Sequence, residues 1–161
     1  MVSHDSATWK IGQFIHQLLR PFVDKVLQPT TFYDEIDFIE KLNHYVYKQS
    51  RLRPNTLFCS IKLTTYNALD SHSSMIDVVG YFLNENLAGN KLENVTILTI
   101  KNLLHLYLYN NVFYYDGEIY TFTQGSPNTM ELSETLSDIY IYVWQKHLLK
   151  KIDQKEELFG R

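Results

Sequence analysis

The residues best suited to chemistry lie in Gln124-Gly125-Ser126-Pro127. A glycine lets backbone approach a ligand closely, and a serine at a helix start offers an anion both a hydroxyl and an N–H. The same residues also make an ordinary loop-to-helix turn, with Gly for the turn, Ser as N-cap and Pro in the first helical position. His72 stands beside Ser73, Ser74 and Asp70, the residue types of a hydrolytic triad, but sequence neighbours are seldom triad partners and Asp70 also reads as a turn residue. The other histidines, His4, His16, His44, His105 and His147, show no pair at metal-ligand spacing. Cys59 is the one cysteine, which excludes an intramolecular disulfide and a cysteine-cluster metal site. There is no Walker lysine loop and no Gly-x-Gly-x-x-Gly.

A chain of 161 residues suits one domain with a sizeable core. Its formal charge of −3 gives no basic footprint and counts against strong unaided nucleic-acid binding. No apolar run reaches membrane-spanning length and the N-terminus is polar, so the expected setting is intracellular, nucleus or cytoplasm, with no membrane partner. Twelve tyrosines suit a core whose hydroxyls reach a wet rim; base stacking is their other use.

Helical elements account for most of the chain. Trp9, Ile11, Phe14, Ile15, Leu18 and Leu19 recur at helical spacing, which predicts a helix to about Arg20 with a kink or new turn at Pro21 and an end at Pro29. Thr30 or Thr31 is the expected cap of a second helix that buries Ile36, Phe38, Ile39, Leu42, Tyr45 and Val46. The basic stretch Lys48 to Arg53 reads as a solvated loop or a phosphate contact. Ser71 is the expected cap of a third helix, with Gly80 in close packing and Gly89 as its stop. Asn94-Val-Thr is the expected start of a fourth, which Asn110-Asn111 ends. A polar, charged helical tail covers residues 145–161.

Two stretches read as β-structure. Thr56 to Thr64 is short and apolar, with Leu57, Cys59, Ile61 and Leu63 on one face and Phe58, Ser60 and Lys62 on the other. Residues 112–123 read as a hairpin around Asp116-Gly117, because a type I′ turn needs positive φ at both central positions. The fold class is therefore α+β: a small antiparallel sheet, made of the 56–64 strand and the 112–123 hairpin, packed against several long helices.

Phe113-Tyr-Tyr-x-Gly117-x-x-Tyr120-x-x-x-x-Gly125-Ser-Pro127, followed by Leu132-Ser133-x-x-Leu136-x-Asp138-Ile139-Tyr140, resembles the palm segment of reverse transcriptases, nearest to the Penelope-like group. Ser60-Ile61-Lys62-Leu63-Thr64-Thr65-Tyr66 is similar to the strand that carries the family's first catalytic aspartate. The resemblance implies that the whole chain, 1–161, is a single domain, a partial fingers and palm from a truncated or degenerate retroelement RNA-directed DNA polymerase. It implies nucleotide or template contacts at Gln124, Gly125, Ser126, Pro127, Tyr66 and Lys62. The family's chemistry uses Mg²⁺ held by carboxylates. Here Lys62 replaces the expected aspartate and the chain has no Asp-Asp pair, so no catalytic residue is carried over and no metal is expected on this chain alone. Partners would be an RNA or DNA template-primer, or a protein if the scaffold serves as a non-catalytic helical interaction domain.

Overall fold

The computed structural model describes residues 7–62, 71–125, 131–155 and 157–161. The architecture is α+β, with helices and two small antiparallel two-stranded ladders. The chain forms two compact units, one of residues 1–26 and 65–144, the other of 27–64 and 145–161.

In the first unit, helix α1 (Ala7–Leu27) runs without interruption through Pro21. Of the kink or new turn expected at Pro21, no new turn starts there, and the apolar pattern continues beyond it as expected. Proline removes one hydrogen bond to the preceding turn, but the apolar positions Ile15, Leu18, Leu19 and Val23 stay on one buried face across it. Helix α3 (His72–Asn86) begins where Ser71 accepts a hydrogen bond from the Ser74 N–H, as its sequence suggests. Its end comes at Leu87, two residues before Gly89. Between α3 and the next helix lies a short ladder that the helical spacing did not predict, β1 (Lys91–Leu92) against β2 (Val95–Thr96), turned by Glu93 at φ 52°. Helix α4 (Ile97–Tyr109) therefore starts at a Thr96 cap, the last residue of the expected Asn94-Val-Thr start, and Asn110 ends it.

The core of this unit joins α1, α3 and α4 to the front of α5 (Glu131–Lys155). Phe82 meets the edges of Phe22 and Tyr142 at centroid distances of 5.9 and 5.4 Å. The Tyr107 ring is fully buried against Gly12, where a Cβ would come within 2.6 Å of it. Leu132, Leu136 and Ile139 of α5 are buried, and so are Ser133, Thr135 and Ser137. A helix buried on nearly every side must satisfy its polar groups internally. Ser137 donates to the Ser133 carbonyl at 2.8 Å, and Thr135 shares a hydrogen bond with His16 Nδ1 at 2.9 Å. Arg20 bridges Asp24 on its own helix and Asp138 on α5. Partial burial works against its charge, but the hydrogen bonds to both carboxylates outweigh that and raise its pKa above the ordinary value.

In the second unit, Pro29 and its neighbours form a 3₁₀ turn at Gln28–Thr30. Asp34, not Thr30 or Thr31, caps α2 (Glu35–Asn43), accepting from the Asp37 N–H at 2.8 Å. The expected burial of Ile36, Phe38 and Ile39 does not occur. All three are exposed, Ile36 at 66%, because α2 is only nine residues long and no described element of its unit covers that face. Tyr45, in the π-helical turn His44–Lys48, is buried. Thr30 and Phe32 share two backbone hydrogen bonds with Arg161: Phe32 N–H donates to the Arg161 carbonyl and Arg161 N–H to the Thr30 carbonyl, at 2.9 and 3.0 Å.

The strand expected at 56–64 does not form over its described residues, 56–62. Residues 56–62 belong to no ladder, and residues 63 and 64 lie outside the described ones. The segment has a strand's alternation, but a strand exists only through a paired neighbour, and its unit offers none among the described residues. Among the described residues the hairpin strands therefore form a sheet of two.

Candidate functional site

The hairpin forms where its sequence places it. β3 (Val112–Tyr115) pairs with β4 (Glu118–Thr121) in the register Val112↔Thr121, Phe113↔Tyr120, Tyr114↔Ile119, Tyr115↔Glu118. Asp116 and Gly117 have φ of 49° and 86°, the left-handed pair that a type I′ turn demands. Phe113 stacks on Tyr120 at 5.5 Å and packs against Phe122 at 4.8 Å, so one face of the ribbon carries its own aromatic cluster.

The ribbon's base is held by α3. Gln124 pairs with Ser71 in an isolated antiparallel bridge. Gly125 is buried at φ 68°, and its carbonyl accepts a 3.0 Å hydrogen bond from His72 Nε2. A carbonyl can only accept, so this contact fixes the His72 tautomer as the one with the proton on Nε2. The buried His72 ring also meets the edge of Tyr109 at 5.2 Å, and Tyr109 in turn stacks on His105 at 4.3 Å. The nitrogen that would serve a hydrolytic triad is therefore committed to a structural bond.

Of the sequence-derived contact residues, Gln124 and Gly125 come together at this junction. Ser126, Pro127 and Tyr66 lie outside the described residues, as does Asp70. Lys62 is exposed and belongs to the second unit. Among the described residues no three His, Cys, Asp or Glu side chains are grouped so as to hold a metal ion, and no helix is long and apolar enough to cross a membrane. An open groove of about 460 Å³ lies between α3 and α5, lined by Ser73, Ser74, Asp77, Val78, Tyr81 and Val143. Beside it Lys101 pairs with Asp77 at 2.8 Å.

The most distinctive surface is the ribbon itself. Tyr114, Tyr115, Ile119 and Tyr120 are all exposed, Tyr115 at 68% and Ile119 at 72%. Sequence alternation alone assigns these side chains to two faces. It could not show that both faces stay exposed among the described residues.

Comparison with protein-family models, with curated proteins and with solved structures yields no match.

Proposed function

We propose that the chain is a non-catalytic helical interaction domain that presents the β3–β4 hairpin to a protein partner. One observation carries this reading: four large aromatic or β-branched side chains stand exposed on a short ribbon whose own cluster and anchored base hold it in shape. Tyr114 and Ile119 stand on one face and Tyr115 and Tyr120 on the other, so each face presents exposed apolar area, and tyrosine suits such surfaces because it brings a large amphipathic contact area at low conformational cost. The palm-like alternative needs a strand at 56–64 beside the hairpin, and residues 56–62 form none.

The test is a paired pull-down from the source cell with the unaltered chain and a Tyr115→Ser/Ile119→Ser variant. Proteins retained by the first and lost by the second, with the fold retained by circular dichroism, support the reading. Equal retention by both removes it.

A second reading, descent from a reverse-transcriptase palm segment, is favoured by the left-handed, buried Gly125 directly after the hairpin. That conformation keeps the position glycine, as close ligand approach also would. With Lys62 at the aspartate position, an ammonium would repel divalent cations, so this chain alone is expected to extend no template-primer in Mg²⁺ or Mn²⁺. Fluorescence anisotropy with labelled RNA and DNA tests the residual part. Binding weakened by Lys62→Glu supports descent with retained template contact, and no binding to either leaves only the interaction reading.

A further inference from the structure

Residues 56–62 and the outer edge of β4 are complementary in three respects. The segment alternates as a strand does, yet Leu57 is 85% and Phe58 74% exposed and no ladder pairs it. β4 is an open edge. With a two-residue turn, the pairs Tyr115/Glu118 and Phe113/Tyr120 exchange the ladder bonds, so the N–H and C=O groups of Ile119 and Thr121 point away from β3. All four β4 residues are exposed. Charge is the third respect. Residues 48–62 carry Lys48, Arg51, Arg53 and Lys62 without a carboxylate, while residues 112–125 carry Asp116 and Glu118 without a cation.

We propose that residues 56–62 of one copy add as a third strand to the β4 edge of a second copy, with their basic flanks against its acidic turn. This rests on the interaction reading above and names a second copy of the chain as the hairpin's partner. At about 3.3 Å per residue, the segment is long enough to cover β4 completely and leave its flanking cations beyond the edge. The outward backbone groups of Ile119 and Thr121 receive partners, and side chains that are exposed on both sides lose water together. Charge opposition also discriminates against pairing of two hairpin edges, whose acidic turns repel. The contact joins different surfaces, so two copies either close reciprocally or extend into a chain.

The experiment uses the full chain and its native thiol, Cys59, which is exposed. A copy with Cys59 is mixed with a differently tagged copy carrying Cys59→Ser and Thr121→Cys, and a short bis-maleimide is added. The expected product is a covalent dimer bearing both tags, which only a Cys59-to-121 link between copies can give. Sedimentation of the unaltered chain should show concentration-dependent association. Cys59→Pro or Ser60→Pro, whichever turns its N–H toward β4, should weaken it roughly fivefold to tenfold, the effect of one lost backbone hydrogen bond. Glu118→Lys should weaken it as well. Both prolines fall outside any regular element, so the fold is retained, and circular dichroism checks this.

A chain that stays monomeric at every concentration and gives no two-tag product overturns the proposal. So does association that neither proline changes. If the purified chain is monomeric while Tyr115→Ser/Ile119→Ser still loses its cellular partner, strand addition between copies fails and the interaction reading stands. If that variant loses nothing in either assay, both fall.

Discussion

His72 Nε2 donates to the Gly125 carbonyl at 3.0 Å, and so ties the start of α3 to the exit of the hairpin across 53 residues of chain. With the Ser71–Gln124 bridge beside it, this bond sets where the ribbon leaves the helical core. Removing the donor leaves a buried carbonyl unpaired. His72→Phe is expected to cost about 1–3 kcal/mol in urea unfolding. His72→Gln, whose amide nitrogen reaches nearly as far as Nε2, should recover at least half of the loss. Equal destabilisation by both would mean that ring packing on Tyr109, not the hydrogen bond, holds the junction.

Backbone conformation makes a separate demand at Gly125 and Gly117. Both have positive φ, where a Cβ meets the following carbonyl. Gly125→Ala and Gly117→Ala should each cost roughly 1–2 kcal/mol. Asp116→Asn should be close to neutral, since Asn tolerates the left-handed region as well as Asp does. A Gly117→Ala variant as stable as the parent would rule out the type I′ turn.

In the second unit, Tyr45 donates to Glu157 Oε2 at 2.5 Å. That hydrogen bond, then burial, then the carboxylate's charge raise the phenol's pKa above its ordinary value, with Arg51 and Arg53 pulling the other way. A group whose folded pKa is raised contributes stability that is complete below its unfolded pKa and is lost as pH rises through the folded one. Thermal melts should therefore show an alkaline loss that begins near the ordinary tyrosine pKa, about 10. Tyr45→Phe should shrink that loss and lower stability at neutral pH. An identical alkaline profile for both chains would contradict the pairing.

Local chemistry was the legible part of the sequence. Asp116-Gly117 named its turn, Ser71 its cap, and the 3.6-residue spacing of Met75, Ile76, Val79 and Leu83 its buried face. Each of these signals is read within a few residues. The misses needed knowledge of partners distant in sequence. Ile36 and Ile39 form an apolar helix face that no described element of their unit covers, and residues 56–62 have a strand's pattern without a ladder. At Pro21 the local signal allowed a kink or a new turn, and α1 continues through it because packing on both sides outweighs one lost hydrogen bond. For the same reason His72 could be noticed as a histidine among serines, but its bond to Gly125 could not be foreseen. Nothing in either neighbourhood encodes the other.

The most direct test replaces Tyr115 and Ile119 with serine and measures two quantities on the same protein, its urea-unfolding free energy and its binding of a protein partner, cellular or a second copy. The expected result is an unfolding free energy lowered by no more than about 2 kcal/mol, the sum of two lost cross-strand pairs, together with loss of binding. Retained binding, or a stability loss as large as that of a core substitution, would contradict the assignment of the hairpin as an interaction surface.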